Sequence, residues 1–446
     1  MCNRVASLRK GIFRCHGDGA SWILGERILR VLLLNQAFYP DVVSSAQHAA
    51  DLAASLIEAG HEVTVLADKR AYDDRAQHFS SDESWQGVRI IRVPSTGFGK
   101  ASRWRRASDF SSFMLSCALR LLFLPRFDVV IAMTSPPLIL LLAALAVPLK
   151  ARKLLFWSMD LNPDEAVAAG WLRPQSITAR LLGRLMLYSM KRAERIVALD
   201  RFMRDRIRAK GIAGEKIAVV PPWAHDDRVC FDADARQRFR NHYGLSEKFI
   251  VMYSGNHSPC HPLDTLLAAA ERLADHPEIV FLFVGGGSEF RKPLALEQRG
   301  APNIRCLPYR PAQELAGSLS AADLHLVVMG RAFVGIVHPC KVYNILAVGA
   351  PFLYIGPQES HIADLIARLQ ESGSALVAGH GEVESVIRGI LEAAQRRSIG
   401  RSCSREFAGQ FSRQVLIPQM IHVLETMAPT SCVSAAARVS QPHHSP

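Results

Sequence analysis

The chain has 446 residues, which is too long for one ordinary hydrophobic core and predicts two domains. Its 49% hydrophobic and 21% charged residues are typical of a globular protein. The net charge of +12 indicates an anionic partner, namely nucleic acid, a phosphorylated ligand or acidic lipid headgroups, and charge alone does not choose among them.

The two ends of the chain predict little regular structure. Residues 1–26 lack a sustained apolar stretch followed by a small-residue cleavage site, so we predict an N-terminal extension and no signal peptide. Residues 429–446 are rich in Ser, Ala, His and Pro, and they predict a flexible tail.

Residues 27–225 are predicted to form a first α/β domain. Arg30–Leu34 is the continuous apolar run of a strand covered on both faces. Gln47–Ala59 has helical spacing, Gly60 stands where a C-terminal cap belongs, and His61–Leu66 predicts the next strand. This β–α–β unit predicts a parallel pair. Further strands are predicted at Val88–Val93, Asp128–Ala132, Lys153–Ser158 and Arg195–Leu199.

Two segments interrupt this alternation. Pro136–Leu149 is shorter than the roughly 20 apolar residues that span a bilayer, so it predicts a buried or interfacial helix. Pro221–Arg228 is rich in turn formers and charge, and we place the domain boundary there.

Residues 226–404 are predicted to form a second α/β domain, and residues 405–428 a last helix that packs back on the first. Two doubly wound, Rossmann-like parallel-sheet domains joined by a hinge would face each other across a cleft, where ligands bind at the carboxyl ends of the strands. The predicted helices are Leu263–Ala274 and Phe411–Leu424, and the predicted strands are Phe249–Ser254, Ile279–Val284, Ile304–Leu307, Asp323–Val328, Phe352–Ile355 and Ala375–Ala378.

The nine cysteines are scattered without C-x-x-C spacing. Their odd number in a long chain argues against a disulfide framework, and no Cys/His spacing resembles a zinc site. We therefore expect a reducing, cytosolic compartment and no bound metal.

Lys341 is the one cation in the apolar stretch HPCKVYNILAVGAP, His338–Pro351. Pro339 suits the first turn of a helix, which places Lys341 at an N-terminus whose partial charge is already positive. An anion between them would remove this mismatch, so we predict a phosphate site, with Gly335 allowing close backbone approach. The alternative is a solvated lysine whose stem covers apolar surface.

These residues carry a resemblance. GIVHPCKVYNILAVGAP resembles the nucleotide-sugar motif of family 4 glycosyltransferases, in the branch that reads P-S-K-x-Y-x-x-L-A-x-G. NQAFYPD, GHEVTVL, DVVIAMTSPP, WSMDLNPD, FVGGGSEF and AADLHLVV resemble further blocks of that family in the same order, so the resemblance covers about Arg30 to Leu424.

The resemblance implies a GT-B fold, a nucleoside-diphosphate sugar held mainly by the second domain, an acceptor held mainly by the first, and retaining transfer without a metal. Lys341 would then stabilise charge on the leaving diphosphate. Ser44 and Ser45 replace the usual Gly-Gly pair of the acceptor-side loop, and Cys340 replaces a serine. The expected donor-binding residues are Gly255, Asn256, His261, Gly286, Glu289, Arg310, Gly335, Ile336, Val337 and Asn344.

The chain departs from the family at two donor positions. Ile336 and Asn344 stand where many relatives have two glutamates, and Asn344 can hydrogen-bond a hydroxyl but cannot act as a carboxylate. Asn256 and His261 stand where the family often has Arg and Lys. Diphosphate binding is therefore expected to depend more strongly on Lys341 and on backbone N–H groups.

Asp160 is the predicted catalytic acid or base on the acceptor side. It belongs to a small acidic cluster with Asp164 and Glu165, and a carboxylate at the cleft would orient or deprotonate the acceptor hydroxyl. Helix capping by Asp160 or Asp164 is the alternative.

Two groups of basic residues lie among apolar side chains and predict contact with anionic lipid, although solvated helix faces are the ordinary alternative. The groups are Lys100, Arg103, Arg105, Arg106, Arg120 and Arg126, and then Arg173, Arg180, Arg184, Lys191, Arg192, Arg195 and Lys210.

The sequence thus predicts a glycosyltransferase, cytoplasmic or peripheral on the inner membrane face, that moves a hexosyl or N-acetylhexosaminyl group from a UDP- or GDP-sugar to a saccharide or polyprenyl-linked acceptor in surface polysaccharide assembly. A nucleotide-sugar epimerase of the same fold and a degenerate protein that binds nucleotide sugar or membrane are the alternatives. Nucleic acid is not an expected partner, because no module for base readout is recognised.

Overall fold

The structure, a computed structural model, describes residues 28–72, 76–99, 102–369, 375–396 and 405–427. The predicted N-terminal extension, residues 1–26, and the predicted tail, residues 429–446, lie outside these ranges, as does Lys100 of the first basic group.

The first domain is built on an eight-stranded sheet in the order β3-β4-β2-β1-β5-β6-β7-β8. Every pair is parallel except β3 with β4. The strands are β1 Arg30–Leu34, β2 Glu62–Asp68, β3 Asp82–Trp85, β4 Val88–Val93, β5 Phe127–Ala132, β6 Ala151–Trp157, β7 Arg195–Ala198 and β8 Ile217–Val219. The helices are α1 Ser44–Glu58, α2 Arg103–Phe123, α3 Ile139–Lys150, α4 Asp164–Ala168, α5 Ile177–Arg192 and α6 Arg201–Ala209.

The second domain has a six-stranded, fully parallel sheet in the order β11-β10-β9-β12-β13-β14. Its strands are β9 Phe249–Asn256, β10 Ile279–Gly286, β11 Ile304–Leu307, β12 Leu324–Val328, β13 Phe352–Ile355 and β14 Ala375–Ala378. The helices from the linker onward are α7 Ala233–His242, α8 Asp264–Arg272, α9 Arg291–Gln298, α10 Leu315–Ala321, α11 Lys341–Ala347, α12 His361–Leu369, α13 Val383–Gln395, α14 Arg405–Gly409 and α15 Arg413–Met427.

The prediction of two parallel-sheet α/β domains is confirmed. Burial explains why the sequence pattern works: central strands such as β1 and β12 are covered on both faces, so they are apolar without alternation. The sequence analysis did not predict β3 and β8. Strand β3 has the polar sequence DESW and lies at the sheet edge, and β8 has only three residues, so neither has a long apolar run.

The chain returns to the first domain at its end. Helix α15 packs against α1, and its buried residues Leu416, Ile417, Met420 and Leu424 belong to the same apolar core as the first sheet. The linker is held there too, because the backbone N–H of Ala224 donates to the carbonyl of Phe411 at 2.8 Å.

The two domains also meet through α6 and the segment that precedes α11. Arg201 of α6 forms two hydrogen bonds with Asp364 of α12, at 2.6 and 2.9 Å, and Arg206 donates to the carbonyl of Val334 at 2.6 Å. Gly335 has a φ of +69°, and a methyl group built on it would lie 2.6 Å from the carbonyl oxygen of Phe202. Close contact between the domains therefore requires glycine at this position.

We expect Gly335→Ala to lower the free energy of unfolding by about 2–5 kcal/mol, from a left-handed backbone strain of about 1–2 kcal/mol and a steric cost of about 1–3 kcal/mol. Gly211→Ala is the matched control, because Gly211 has a φ of +86° and no atom within 4 Å of the added methyl group. Urea unfolding of both variants tests this expectation, and equal losses would show that the domain contact at Gly335 is loose.

Candidate functional site

The carboxyl ends of strands from both sheets meet at one place between the domains. The loop after β6 contacts the segment before α11, where Asp160 forms an antiparallel bridge with Val337 and the N–H of Leu161 donates to the carbonyl of Ile336 at 2.9 Å. The loops after β9 and β10 lie beside this junction. Residues of both domains thus meet at the strand ends, where strand order predicted the site.

Lys341 is the first residue of α11, and its amine nitrogen is buried. The nitrogen lies 3.4 Å from the ring centre of Tyr253 in β9, and no described residue forms a hydrogen bond with it. Burial lowers the pKa of the Lys341 amine well below its usual range. The alternative of a solvated lysine is therefore wrong.

Neutral imidazoles surround this amine. Burial, together with the charge on Lys341, lowers the pKa of both His257 and His261 to about 3. The Nδ1 of His261 donates to the carbonyl of Val328 at 2.6 Å, whereas both ring nitrogens of His257 lack hydrogen-bond partners among the described residues. Gly255 adjoins the amine as well, since a methyl group there would lie 3.6 Å from Nζ. An anionic ligand here would favour the charged form of the amine, and no carboxylate of the described residues is paired with it.

Asp160 and Glu165 form a carboxyl pair on the first-domain side. Burial and the nearby Glu165 raise the pKa of Asp160 well above its usual range, and burial raises the pKa of Glu165. Glu165 accepts a hydrogen bond from Asn162 at 3.3 Å and a longer one, 3.9 Å, from the Cys260 thiol of the second domain. A carboxyl group whose pKa is raised toward neutrality is suited to proton transfer.

The predicted acceptor-side loop lies at the start of α1. Ser44 is the first residue of that helix, and its hydroxyl lies 3.4 Å from the Nδ1 of His48. Ser45 follows and is half-buried. Burial raises the pKa of the nearby Cys340 thiol to about 12, and a hydrogen bond with Ser44 opposes this rise. Cys340 is therefore a small neutral side chain.

Several predicted donor residues lie on the loops after β9, β10 and β11. Asn256 ends β9, and Gly286 ends β10 with Tyr309 packed against it. Glu289 forms an ion pair with Lys292 at 2.7 Å. Arg310 is paired with Glu314 at 2.5 and 3.1 Å, so a phosphate would have to compete with that carboxylate.

The other predicted donor residues contact the first domain. Gly335 packs on Phe202, and Ile336 is buried. The side-chain oxygen of Asn344 accepts a hydrogen bond from the backbone N–H of His225 in the linker, at 3.1 Å. Contacts of these residues and of Val337 with a donor stay predictions.

The sequence analysis missed a buried cluster that joins the domains. Asp200 of the first domain accepts a hydrogen bond from His338 at 2.7 Å and lies 3.5 Å from His361. Burial alone would raise the pKa of Asp200. The hydrogen bond from His338 and the positive charge of His338 outweigh burial and lower the pKa of Asp200 to about 2. The His338 and His361 rings stack at 3.8 Å with planes 19° apart, so their in-plane lone pairs do not converge as metal ligands would.

Comparisons with known proteins bear on the fold of the chain and on its first domain. Residues 45–223 match the family model described as a Glycosyl transferase 4-like domain. Over 382 residues the chain is 26% identical to the putative colanic acid biosynthesis glycosyl transferase WcaI of Escherichia coli (strain K12), covering 82% of this chain and 92% of that protein. Over 243 residues it is 27% identical to the probable glycosyltransferase WbjE of Pseudomonas aeruginosa, covering 54% and 60%.

Solved structures share the arrangement of both domains. HepE of Anabaena, in complex with UDP-glucose, matches with a TM-score of 0.65 at 15% identity, over 89% of this chain and 100% of that one. The chain therefore has the GT-B fold, and its residues 45–223 are similar to the glycosyl transferase 4-like domain.

Proposed function

We propose that the chain transfers a hexosyl or N-acetylhexosaminyl group, with retention of configuration, from a UDP- or GDP-sugar to a saccharide or polyprenyl-linked acceptor in surface polysaccharide assembly, on the cytoplasmic side of the membrane. The buried amine of Lys341, which has no hydrogen-bond partner among the described residues, carries this proposal. The similarity to a protein named for colanic acid biosynthesis and to a UDP-glucose complex supports it.

The donor step depends on the charge balance around Lys341. A buried ammonium without an anionic partner is costly, and the described neighbours of Nζ include an aromatic ring, a glycine and two neutral histidines. A diphosphate placed against Nζ would supply the missing charge. As the bond from the anomeric carbon to the diphosphate breaks, the ammonium would stabilise the charge that grows on the leaving oxygen.

The acceptor step uses the opposite side of the cleft. The acceptor oxygen bonds to the anomeric carbon on the face that the diphosphate leaves, and its proton passes to the ionised form of Asp160. Glu165 beside it favours the protonated carboxyl after the transfer, because two adjacent carboxylates resist carrying two negative charges.

Ile336 and Asn344, which stand where many relatives have two glutamates, make contacts between the domains in this chain. Ile336 and Asn344 hold the first domain and the linker, so the diphosphate would rely on Lys341 and nearby backbone N–H groups. We propose that His338–Gly349 is the donor motif of the P-S-K-x-Y branch and that transfer needs no metal cofactor, since Lys341 supplies the positive charge.

We expect Lys341→Met to weaken nucleotide-sugar binding roughly 10- to 150-fold, because a hydrogen bond to a charged group contributes about 1.5–3 kcal/mol. Turnover should fall about 10²–10³-fold as well. Calorimetry with UDP-glucose and GDP-mannose, followed by transfer assays over a saccharide panel, measures both. Lys248→Met is the control, since Lys248 lies just before the amino-terminal end of β9, whereas the site lies at the carboxyl end of that strand.

Folding of the variants is checked by thermal unfolding, in which Lys341→Met should be at least as stable as the wild type because it removes an unpaired buried amine. Equal binding and turnover by wild type and Lys341→Met would remove Lys341 from the mechanism. A sugar inverted without any acceptor would indicate an epimerase, and binding without turnover would indicate a degenerate binding protein.

Nucleotide-sugar binding should take up a proton. Burial lowers the pKa of the Lys341 amine, and a diphosphate beside it would raise that pKa, so between the two values the free amine is neutral and the bound one charged. Affinity should therefore fall as pH rises through this window, by about tenfold per pH unit for one proton. Calorimetry in buffers of different ionisation enthalpy counts the proton, and an unchanged count in Lys341→Met would contradict the assignment.

Asp160→Asn should lower turnover about 10²–10⁴-fold while donor binding persists. Wild-type turnover should rise with pH through the raised pKa of Asp160, since the base acts when ionised, and the variant should lack this rise. The control is Asp164→Asn at the start of α4, where Asp164 is paired with Lys210 at 2.6 Å. Similar pH profiles for wild type and Asp160→Asn would contradict the role.

A further inference from the structure

Three neighbouring helices, α2, α3 and α5, form one outer side of the first domain. Helix α3 packs against both of the others. The ends of α2 and α3 are tied together, because Lys150 donates to the carbonyls of Leu122 and Leu124, each at 2.8 Å, and Arg126 donates to the carbonyl of Leu149 at 3.1 Å. The solvent sides of these helices are therefore one continuous surface, which we call the outer helical face.

Helix α2 is apolar on two sides. Phe113, Cys117 and Leu121 point into the core and are buried. The opposite side, which is polar in an ordinary surface helix, exposes a stripe of large apolar side chains at helical spacing. The stripe consists of Trp104, Leu115, Leu119 and Leu122, followed by Phe123, which is 80% exposed.

The other two helices extend this stripe. Helix α3 exposes Leu145 and Leu149, and α5 exposes Ile177, Leu181 and Tyr188. In the described part of the chain, 10 of the 20 exposed large hydrophobic residues lie on these three helices. Scattered single apolar residues are normal on a protein surface, whereas such a concentration on one face indicates an interaction surface.

The charges on the same helices are almost all positive. The one acidic residue is Asp109, which is buried and accepts hydrogen bonds from Thr96 at 2.7 Å, Phe98 at 2.7 Å and Gly99 at 2.9 Å. The solvent side of α2, α3 and α5 therefore carries no acid. The basic side chains are Arg105, Arg106, Arg120, Lys150, Arg180, Arg184, Lys191 and Arg192.

The exposed apolar side chains and the positive charge of the outer helical face together favour one kind of binding partner over another. A second copy bound through the same face would place these cations against each other with no acid between them, which disfavours a symmetric dimer. A bilayer with anionic headgroups supplies negative charge for the arginines and lysines and an apolar layer for the leucines. Among the described helices none is long and apolar enough to cross a membrane, so contact would be at the surface.

We infer that the outer helical face rests on an anionic lipid bilayer, with Leu122, Phe123, Leu149 and their neighbours in the interface and the cations at the lipid phosphates. Helix α2 has 21 residues and so gives a contact line about 30 Å long. At its first turn, Arg106 lies 5.9 Å from the Trp171 ring and interacts with Glu165 of the cleft. If the proposed function holds, a lipid-linked acceptor in the bilayer would approach Asp160 from this end.

Co-sedimentation of the full chain with vesicles tests the inference. We expect binding to vesicles of phosphatidylcholine with phosphatidylglycerol, little binding to phosphatidylcholine alone, and at least tenfold weaker binding of the double variant Leu122→Glu/Phe123→Glu. The double variant Arg180→Glu/Arg184→Glu should also bind more weakly, since each cation near the surface contributes about 1 kcal/mol. Phe231→Glu/Val415→Glu, which changes two exposed apolar residues elsewhere, should bind as the wild type does.

Thermal unfolding confirms that each variant folds, and the positions chosen are exposed. Absence of binding to the anionic vesicles overturns the inference, as does binding that the Leu122/Phe123 change leaves intact, which would be nonspecific attraction by the net charge of the chain. Dimerisation or capture of an acidic protein through this face, without vesicle binding, overturns it too. Because the readout is sedimentation, it is independent of glycosyl transfer.

Discussion

The burial of the Lys341 amine is the constraint on which the site depends. Its amine lies in a water-poor position against Tyr253, and no described side chain neutralises it. Burial, and secondly the charged form of Lys341, lowers the pKa of His257 and His261, so both rings stay neutral. The loop after β9 is thus left without a charge of its own, and a bound anion would meet a single defined cation.

The segment before α11 connects this site to the contact between domains. Gly335, Ile336 and His338 hold the first domain, and Lys341 follows within three residues of His338. A movement of α6 relative to the second domain would therefore act directly on the start of α11. The same short stretch of backbone therefore makes the contact between the domains and sets the position of the Lys341 amine.

Much of this architecture could be predicted from the sequence, because buried parallel strands have apolar runs and glycines mark their ends. Position 341 was predicted as a phosphate-binding lysine from helix patterning. Its contact with Tyr253 could not be predicted, since the two residues are 88 positions apart and meet only when β9 and α11 are packed. Gly335 was interpreted as allowing ligand approach, but its neighbour is the backbone of Phe202. Asp200 and His338 were missed because a buried pair between domains leaves no local pattern.

The return of α15 to α1 has a consequence for synthesis of the protein. Leu416, Ile417, Met420 and Leu424 complete an apolar core that contains the first sheet and α1, together with residues of the second domain. While the ribosome is still translating the second domain, the surface of the first domain that α15 later buries is exposed to solvent. The amino-terminal half therefore reaches its final packing only after residues 413–427 have been synthesised and have left the ribosome.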